Sequence, residues 1–186
     1  MRKLLYLAIL SIGISSFAQR GKDRVIEVPG WEVRNNKLVW SKIYFAERTT
    51  INDFTKGFEF LVKNSSVLRL TEEDTQSIMG SFSNLTLKFE EFGYNLIDTP
   101  FLISRARHSG NIEVEIKEGR YKVILTDIVS FLNTSQKKGS VYRWNEDFLD
   151  RKGDIKKEMK ETLELADKNF AQAFDVKSQM RANKKP

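Results

Sequence analysis

Between Asn111 and Leu132 the chain reads NIEVEIKEGRYKVILTDIVSFL, and no other stretch constrains the fold as tightly. From Ile112 to Lys117, apolar Ile112, Val114 and Ile116 alternate with Glu113, Glu115 and Lys117, the period of a strand with one dry face and one wet face. Gly119 accepts a positive φ at no steric cost and a β-branched run resumes at Tyr121, so the two halves predict an antiparallel hairpin. A two-residue loop at Glu118-Gly119 pairs Ile116 with Tyr121, Val114 with Val123 and Ile112 with Leu125, and sets Glu115 against Lys122 on the solvent side. A three-residue loop would put Ile116 opposite Arg120 and Val114 opposite Lys122, mixing the faces along the whole hairpin. Glu118 departs from the Asn or Asp usual before Gly in such turns.

The segment Trp31–Phe45, WEVRNNKLVWSKIYF, reads as a second hairpin, because Asn35-Asn36 tolerates left-handed backbone between two strand-like runs. In its longer arm Val39, Ser41, Ile43 and Phe45 share one face, and Leu38, Trp40, Lys42 and Tyr44 share the other. Trp40 and Tyr44 are expected to be half exposed, either covering the end of a helix or sheet or contacting a ligand. A brief strand is expected at Val25–Val28, ended by Pro29-Gly30.

At Thr50 the period changes. Ile51, Phe54, Phe58, Leu61 and Val62 recur at helical spacing, and Thr50 with Asp53 makes a capping signal, so an amphipathic helix is expected up to Asn64-Ser65-Ser66. Gly57 inside it marks close packing against a sheet. Val67–Leu70 and Ser77–Phe89 read as strands, the latter with Gly80 as a bulge or point of close approach. Glu72, Glu73 and Asp74 between them read as a solvated turn rather than a metal site.

Glu90–Thr99 is irregular. Phe101–Arg107, FLISRAR, is predicted as a strand that turns at Ser109-Gly110 into the hairpin described first. Arg105 and Arg107 would share one face of it, either contacting an anion or pairing with Glu113 or Glu115; His108, beside the turn, is expected to be exposed. After a loop at NTSQKKGS, Val141–Phe148 begins a helical approach anchored by Trp144. From about Asp154 to Met180 a helical stripe runs through Ile155, Met159, Leu163, Ala166, Phe170, Ala173 and Phe174, with a far end that could project.

The first residues have a different character. Met1–Ala18 combines basic Arg2 and Lys3, an apolar run from Leu4 to Ile14 and small residues at Ser16 and Ala18, the pattern of a secretory signal peptide cleaved near Ala18. That run falls well short of the roughly 20 apolar residues that span a bilayer, and no later segment comes nearer. The expected organisation is therefore a signal peptide over 1–18, a leader and strand over 19–36, a single α+β domain over 37–180 and a disordered tail over 181–186. The chain has no Cys, which excludes a disulfide framework, a thiolate nucleophile and a Cys-type zinc site. The formal charge of +6 falls to about +4 without Arg2 and Lys3 and is interspersed with carboxylates, too weak a field to imply nucleic acid.

The signal peptide followed by NKLVWSKIYF, the helix INDFTKGFEFLVK, the strand SIMGSFS, the hairpin IEVEIKEGRYKVILTD and the closing helix together resemble an exported Bacteroidetes family of unknown function. The resemblance covers about Lys37 to Phe174, and its most specific pieces are the Leu-Val-Trp strand and the Glu-Gly-Arg-Tyr turn. It implies a fold like that of the TATA-binding protein (TBP-like, α+β), a curved antiparallel sheet of about five to seven strands with two helices packed on one face. It carries no catalytic residue with it, and Glu90–Arg107 fits it least well.

The function expected is a non-enzymatic binding or structural module of the periplasm or cell envelope, with no cofactor and no metal. Its partner would be an envelope protein or polymer, engaged through an open sheet face or edge. A different class is a carboxylate-dependent hydrolase using Glu72 or Glu90 with Asp98 or Glu113, although no motif such as GxSxG or HExxH appears. Nucleic-acid binding follows only from analogy with the namesake of the fold, and export, modest charge and Glu-rich strands argue against it.

Overall fold

The computed structural model describes residues 27–64, 66–74, 76–132 and 139–178. The predicted signal peptide, the leader up to residue 26 and the expected tail lie outside them. The described chain forms an antiparallel seven-stranded sheet with helices on one face. In chain order the elements are β1 (Trp31–Arg34), β2 (Lys37–Phe45), α1 (Ile51–Asn64), β3 (Leu68–Glu73), β4 (Ser77–Leu85), α2 (Phe101–Ser104), β5 (Ala106–Lys117), β6 (Arg120–Leu132), β7 (Ser140–Arg143), α3 (Trp144–Asp147) and α4 (Lys160–Ala173). Across the sheet they run β1-β2-β6-β5-β4-β3, and β7 also pairs with β6.

The central hairpin forms in the expected register: Ile116 faces Tyr121, Val114 faces Val123, Ile112 faces Leu125 and Glu115 faces Lys122. Gly119 has φ 71°, whereas Glu118 stays out of the left-handed region, which is why a Glu is tolerated there. The turn is also tied to the β2–α1 connection, since the Ala46 amide donates to the Gly119 carbonyl (2.7 Å) and the Gly119 amide to that of Thr49 (3.1 Å). In the first hairpin both Asn35 and Asn36 have positive φ, 50° and 58°, as a two-residue loop of this kind requires.

One strand, β6, organises the sheet. Its first half pairs with β2 and its second half with β7, and the break between them is a bulge where Asp127 has φ 51°. The Asp127 carboxylate there accepts from Lys37 Nζ (3.0 Å), Asn111 Nδ2 (3.2 Å) and Asn145 Nδ2 (3.2 Å), while Asn145 Oδ1 takes the Leu38 amide (2.8 Å). A backbone donor at an interrupted ladder is thus satisfied by a side chain.

The core lies between one face of the sheet and α1 and α4. Phe54 and Phe58 of α1 meet the Tyr121 ring edge-on, and Phe170 of α4 packs against Trp31, Trp40, Phe82 and Trp144. Thr50 and Asp53 cap α1 reciprocally, each side chain accepting from the other's backbone amide (3.2 Å in both directions). Gly57 is buried. Gly80 is a close-approach point, since a Cβ there would lie 2.2 Å from the Arg69 carbonyl oxygen, opposite a bulge in β3.

Several expectations are corrected. Phe101–Arg107 is a strand only in its last two residues, which open β5: Phe101–Ser104 is a helical turn entered from Pro100, because the adjacent Leu102 and Ile103 are both buried and an alternating strand would bury only one. Ser109-Gly110 is not a turn, since β5 passes straight through it; Gly110 is needed because a Cβ would meet the Phe82 ring at 2.8 Å and the Thr126 carbonyl at 2.9 Å. Glu72 and Glu73 belong to β3 rather than to a turn. Val28 is buried but outside any strand, and residues 25 and 26 are not described.

The closing helix starts at Lys160, not near Asp154. Upstream, the Asp150 carboxylate takes the amides of Lys152 (2.8 Å) and Asp154 (3.0 Å), Gly153 has φ 83°, and Leu149 bridges to Ile155. The approach at Val141 is a strand first, β7, and becomes helical only at the buried anchor Trp144. The far end of α4 does not project within the described residues, because Phe174 and Val176 are buried and the Val176 amide donates to the Tyr121 hydroxyl (3.0 Å).

Candidate functional site

The residues singled out in the sequence separate into a sealed group and an open one. His108 is sealed. It is fully buried on β5, and its Nδ1 lies 2.9 Å from Ser130 Oγ, which in turn accepts the indole N–H of Trp144 at 2.6 Å. An indole nitrogen only donates and a hydroxyl oxygen accepts twice, so Ser130 Oγ receives the Trp144 proton and still has both a proton and a lone pair with which to meet His108 Nδ1. Nε2 makes no hydrogen bond of ordinary geometry, although the nearby Leu102 backbone favours its protonated form. Burial dominates and pushes the imidazole down to about 4, so the ring is neutral near pH 7. The pairing of Ser and His suggests a nucleophile and base, but Ser130 and His108 both have 0% exposure, which denies a substrate access.

Trp40 is sealed as well, with 0% exposure and its indole N–H on the Asp167 carboxylate (2.8 Å), so the expected half-exposure is overturned. Tyr44 is half-buried, stacked on Tyr121 at 4.7 Å, and its hydroxyl donates to the Ala171 carbonyl (2.9 Å). Burial raises both tyrosine hydroxyls far above their ordinary range, so they act as neutral donors tying the sheet to α4. Arg105 closes α2 and Arg107 lies on β5, both exposed; neither forms an ion pair among the described residues. Glu113 and Glu115 lie on the same strand as Arg107, not on a neighbouring one. Of the carboxylates of the hydrolase alternative, Glu90 lies in a single 3-10 turn and Asp98 in the loop before α2, while the register sets Glu72 on β3 and Glu113 on β5 to either side of Met79 in one row of the sheet. No group of three or more metal-ligating side chains is found among the described residues.

The open group lies where β1 ends. β1 pairs only with Lys37–Trp40, and the next amide, that of Ser41, donates to the Gly30 carbonyl at 2.8 Å before the chain turns away at Pro29-Gly30. Ser41–Phe45 therefore has β6 on one side and, among the described residues, no strand on the other. On the face away from the helices, Ile43 is 47% exposed and Phe45 72%. Beside them the register sets Lys122 next to Ile43 and Arg120 next to Phe45, with Glu115 and Lys117 one strand further on.

Two cavities meet at Ile43 and Lys122. The larger, about 470 Å³, lies in the notch left by β1 and reaches Arg34, Lys42 and Asp167; the smaller, about 160 Å³, is lined by Glu115, Lys117, Arg120 and Tyr121 as well. Sequence reasoning missed this surface because both faces of β2 read as apolar, so the alternation could not say which one the helices cover. The signal lay in pairing: β2 packs Trp40 and Tyr44 over Leu125 and Tyr121, the face already fixed by the central hairpin.

No family model and no curated protein matches the chain. Among solved structures, it is similar to a TBP-like protein from Parabacteroides distasonis ATCC 8503, with TM-score 0.50 and 17% identity over 78% of this chain and 95% of that one. It is also similar to a DUF4468 family protein from Bacteroides ovatus ATCC 8483, with TM-score 0.49 and 17% identity over 80% of this chain and 92% of that one. The fold is TBP-like, an α+β arrangement of antiparallel sheet and helices. No helix among the described residues is long and apolar enough to cross a membrane.

Proposed function

We propose that this chain is an exported, non-enzymatic binding module of the bacterial periplasm or cell envelope, engaging an envelope protein or polymer through the uncovered edge of its sheet. The observation that carries this reading is the unpaired half of β2, where Ile43 and Phe45 stand in solvent beside Lys122 and Arg120. An open edge presenting apolar side chains invites association, and natural sheets usually blunt such edges. Export is supported by the pattern of Met1–Ala18, and nucleic acid is disfavoured by the modest charge. Small-molecule chemistry through the Ser-His pair has little to recommend it, because that pair is sealed from solvent.

Two experiments test this. Fractionation of the producing bacterium should recover the protein outside the cytosol with a new amino terminus at Gln19; an intact Met1 in the cytosol contradicts export. Capture from an envelope extract should then enrich a partner that Phe45→Asp fails to enrich. Identical recovery with both forms would remove the edge from the account.

A further inference from the structure

We propose that the open half of β2 takes an extended acidic polypeptide segment, which adds to the sheet as a further strand in line with β1. This rests on the binding-module reading and specifies the occupant. The backbone supplies the first reason. Strand amides alternate in direction, so the Ser41 amide, aimed away from β6 at Gly30, fixes the phase for the residues after it. Lys42 and Tyr44 turn their backbone groups to β6, as does Ala46, whose amide reaches Gly119. Ile43 and Phe45 consequently aim theirs outward, where no described residue meets them. That is the row of groups to which a peptide strand adds.

Charge supplies the second. Lys117 and Arg120 face each other directly across the closing pair of the hairpin, an arrangement that costs stability, and Lys122 stands on the same face one position along. None of the three forms an ion pair among the described residues, and Glu115 is the one carboxylate lining the cavity they share. An added strand would lie two strand spacings of about 4.8 Å from Lys122 and Arg120, a gap that a Glu and a Lys or Arg side chain span together. Carboxylates on its open-face positions would answer the cluster. A second copy of this chain fits less well, because joining two β2 edges brings Lys42 and Lys122 of both copies to one seam.

The test uses the purified chain and a fluorescent, end-capped eight-residue peptide alternating Glu and Val. Controls are the Lys–Val peptide and two forms of the Glu–Val peptide, N-methylated at every second residue in each phase. The Glu–Val peptide should bind, and the Lys–Val peptide, one N-methylated phase, Ile43→Pro and the double variant Arg120→Glu/Lys122→Glu should each weaken binding about tenfold or more. Far-ultraviolet circular dichroism checks that the variants fold, and the double variant touches only exposed charge should Ile43→Pro fail. Binding of both N-methylated forms as tight as the parent would show charge attraction without strand addition and overturn the proposal. So would equal binding of Lys–Val, absence of Glu–Val binding, or self-association through this edge that the peptide cannot displace. If the peptide fails while Phe45→Asp still abolishes envelope capture, only the occupant is wrong; if capture is also indifferent to Phe45, the binding reading falls with it.

Discussion

His108 is the residue whose chemistry departs furthest from its ordinary behaviour. Its imidazole titrates near 4 in the folded protein against 6.5 in an exposed setting, so as pH falls the unfolded chain takes up this proton first. The neutral ring's contribution is therefore complete above about pH 6.5 and is lost progressively toward pH 4, amounting to up to about 3 kcal/mol. Urea titrations at pH 7 and pH 5 should show a stability difference that His108→Gln largely removes; the same difference in both proteins would mean that carboxylates account for it. Gly80 allows a second residue-scale prediction. Gly80→Ala places a methyl group 2.2 Å from the Arg69 carbonyl and should cost about 1–3 kcal/mol by the same titration, whereas Gly93→Ala meets no atom within 4 Å and tests positive φ alone. His108 was illegible in the sequence because Ser109-Gly110 imitates a turn; the glycine is there for the Phe82 ring, a contact 28 residues away in the chain.

At the scale of elements, legibility followed the number of independent signals per segment. The hairpin of β5 and β6 carries alternation, a glycine and a testable register, and its pairing came out as expected. Helix α1 carries a stripe and a capping pair, and Thr50→Ala should lower stability by about 1 kcal/mol in thermal unfolding, a loss that Thr50→Ser should not reproduce. Failures came where one signal stood alone: FLISRAR reads as β-prone, but Pro100 and the consecutive burial of Leu102 and Ile103 turn its first four residues into a helix. On β2 the alternation was correct but its phase was undetermined, which is why Trp40, expected half exposed, is buried. Helix α4 is fixed chiefly by Phe170, in contact with four other aromatic rings of the sheet and α3, and Phe170→Ala should cost about 3–5 kcal/mol. A loss below about 1 kcal/mol would mean that α4 is held elsewhere.

The described residues form a sheet with one face packed under helices and no described helix packed on the other. Closure draws on polar ties as well as packing: the hydroxyls of Tyr44 and Tyr121 and the indole of Trp31 each donate to a backbone carbonyl, those of Ala171, Phe174 and Leu163. Among the described residues β1, β3, β7 and the second half of β2 bound the sheet, and the second half of β2 joins an unpaired edge to exposed Ile43 and Phe45 and a neighbouring cationic cluster. The functional account depends on that edge being uncovered. Residue-resolved hydrogen exchange along β2 measures this directly in the isolated protein. Lys42 and Tyr44 should be protected while Ile43 and Phe45 exchange close to the rate of an open chain; equal protection at all four would mean that another part of the chain or a second copy already occupies the edge, and would contradict the account.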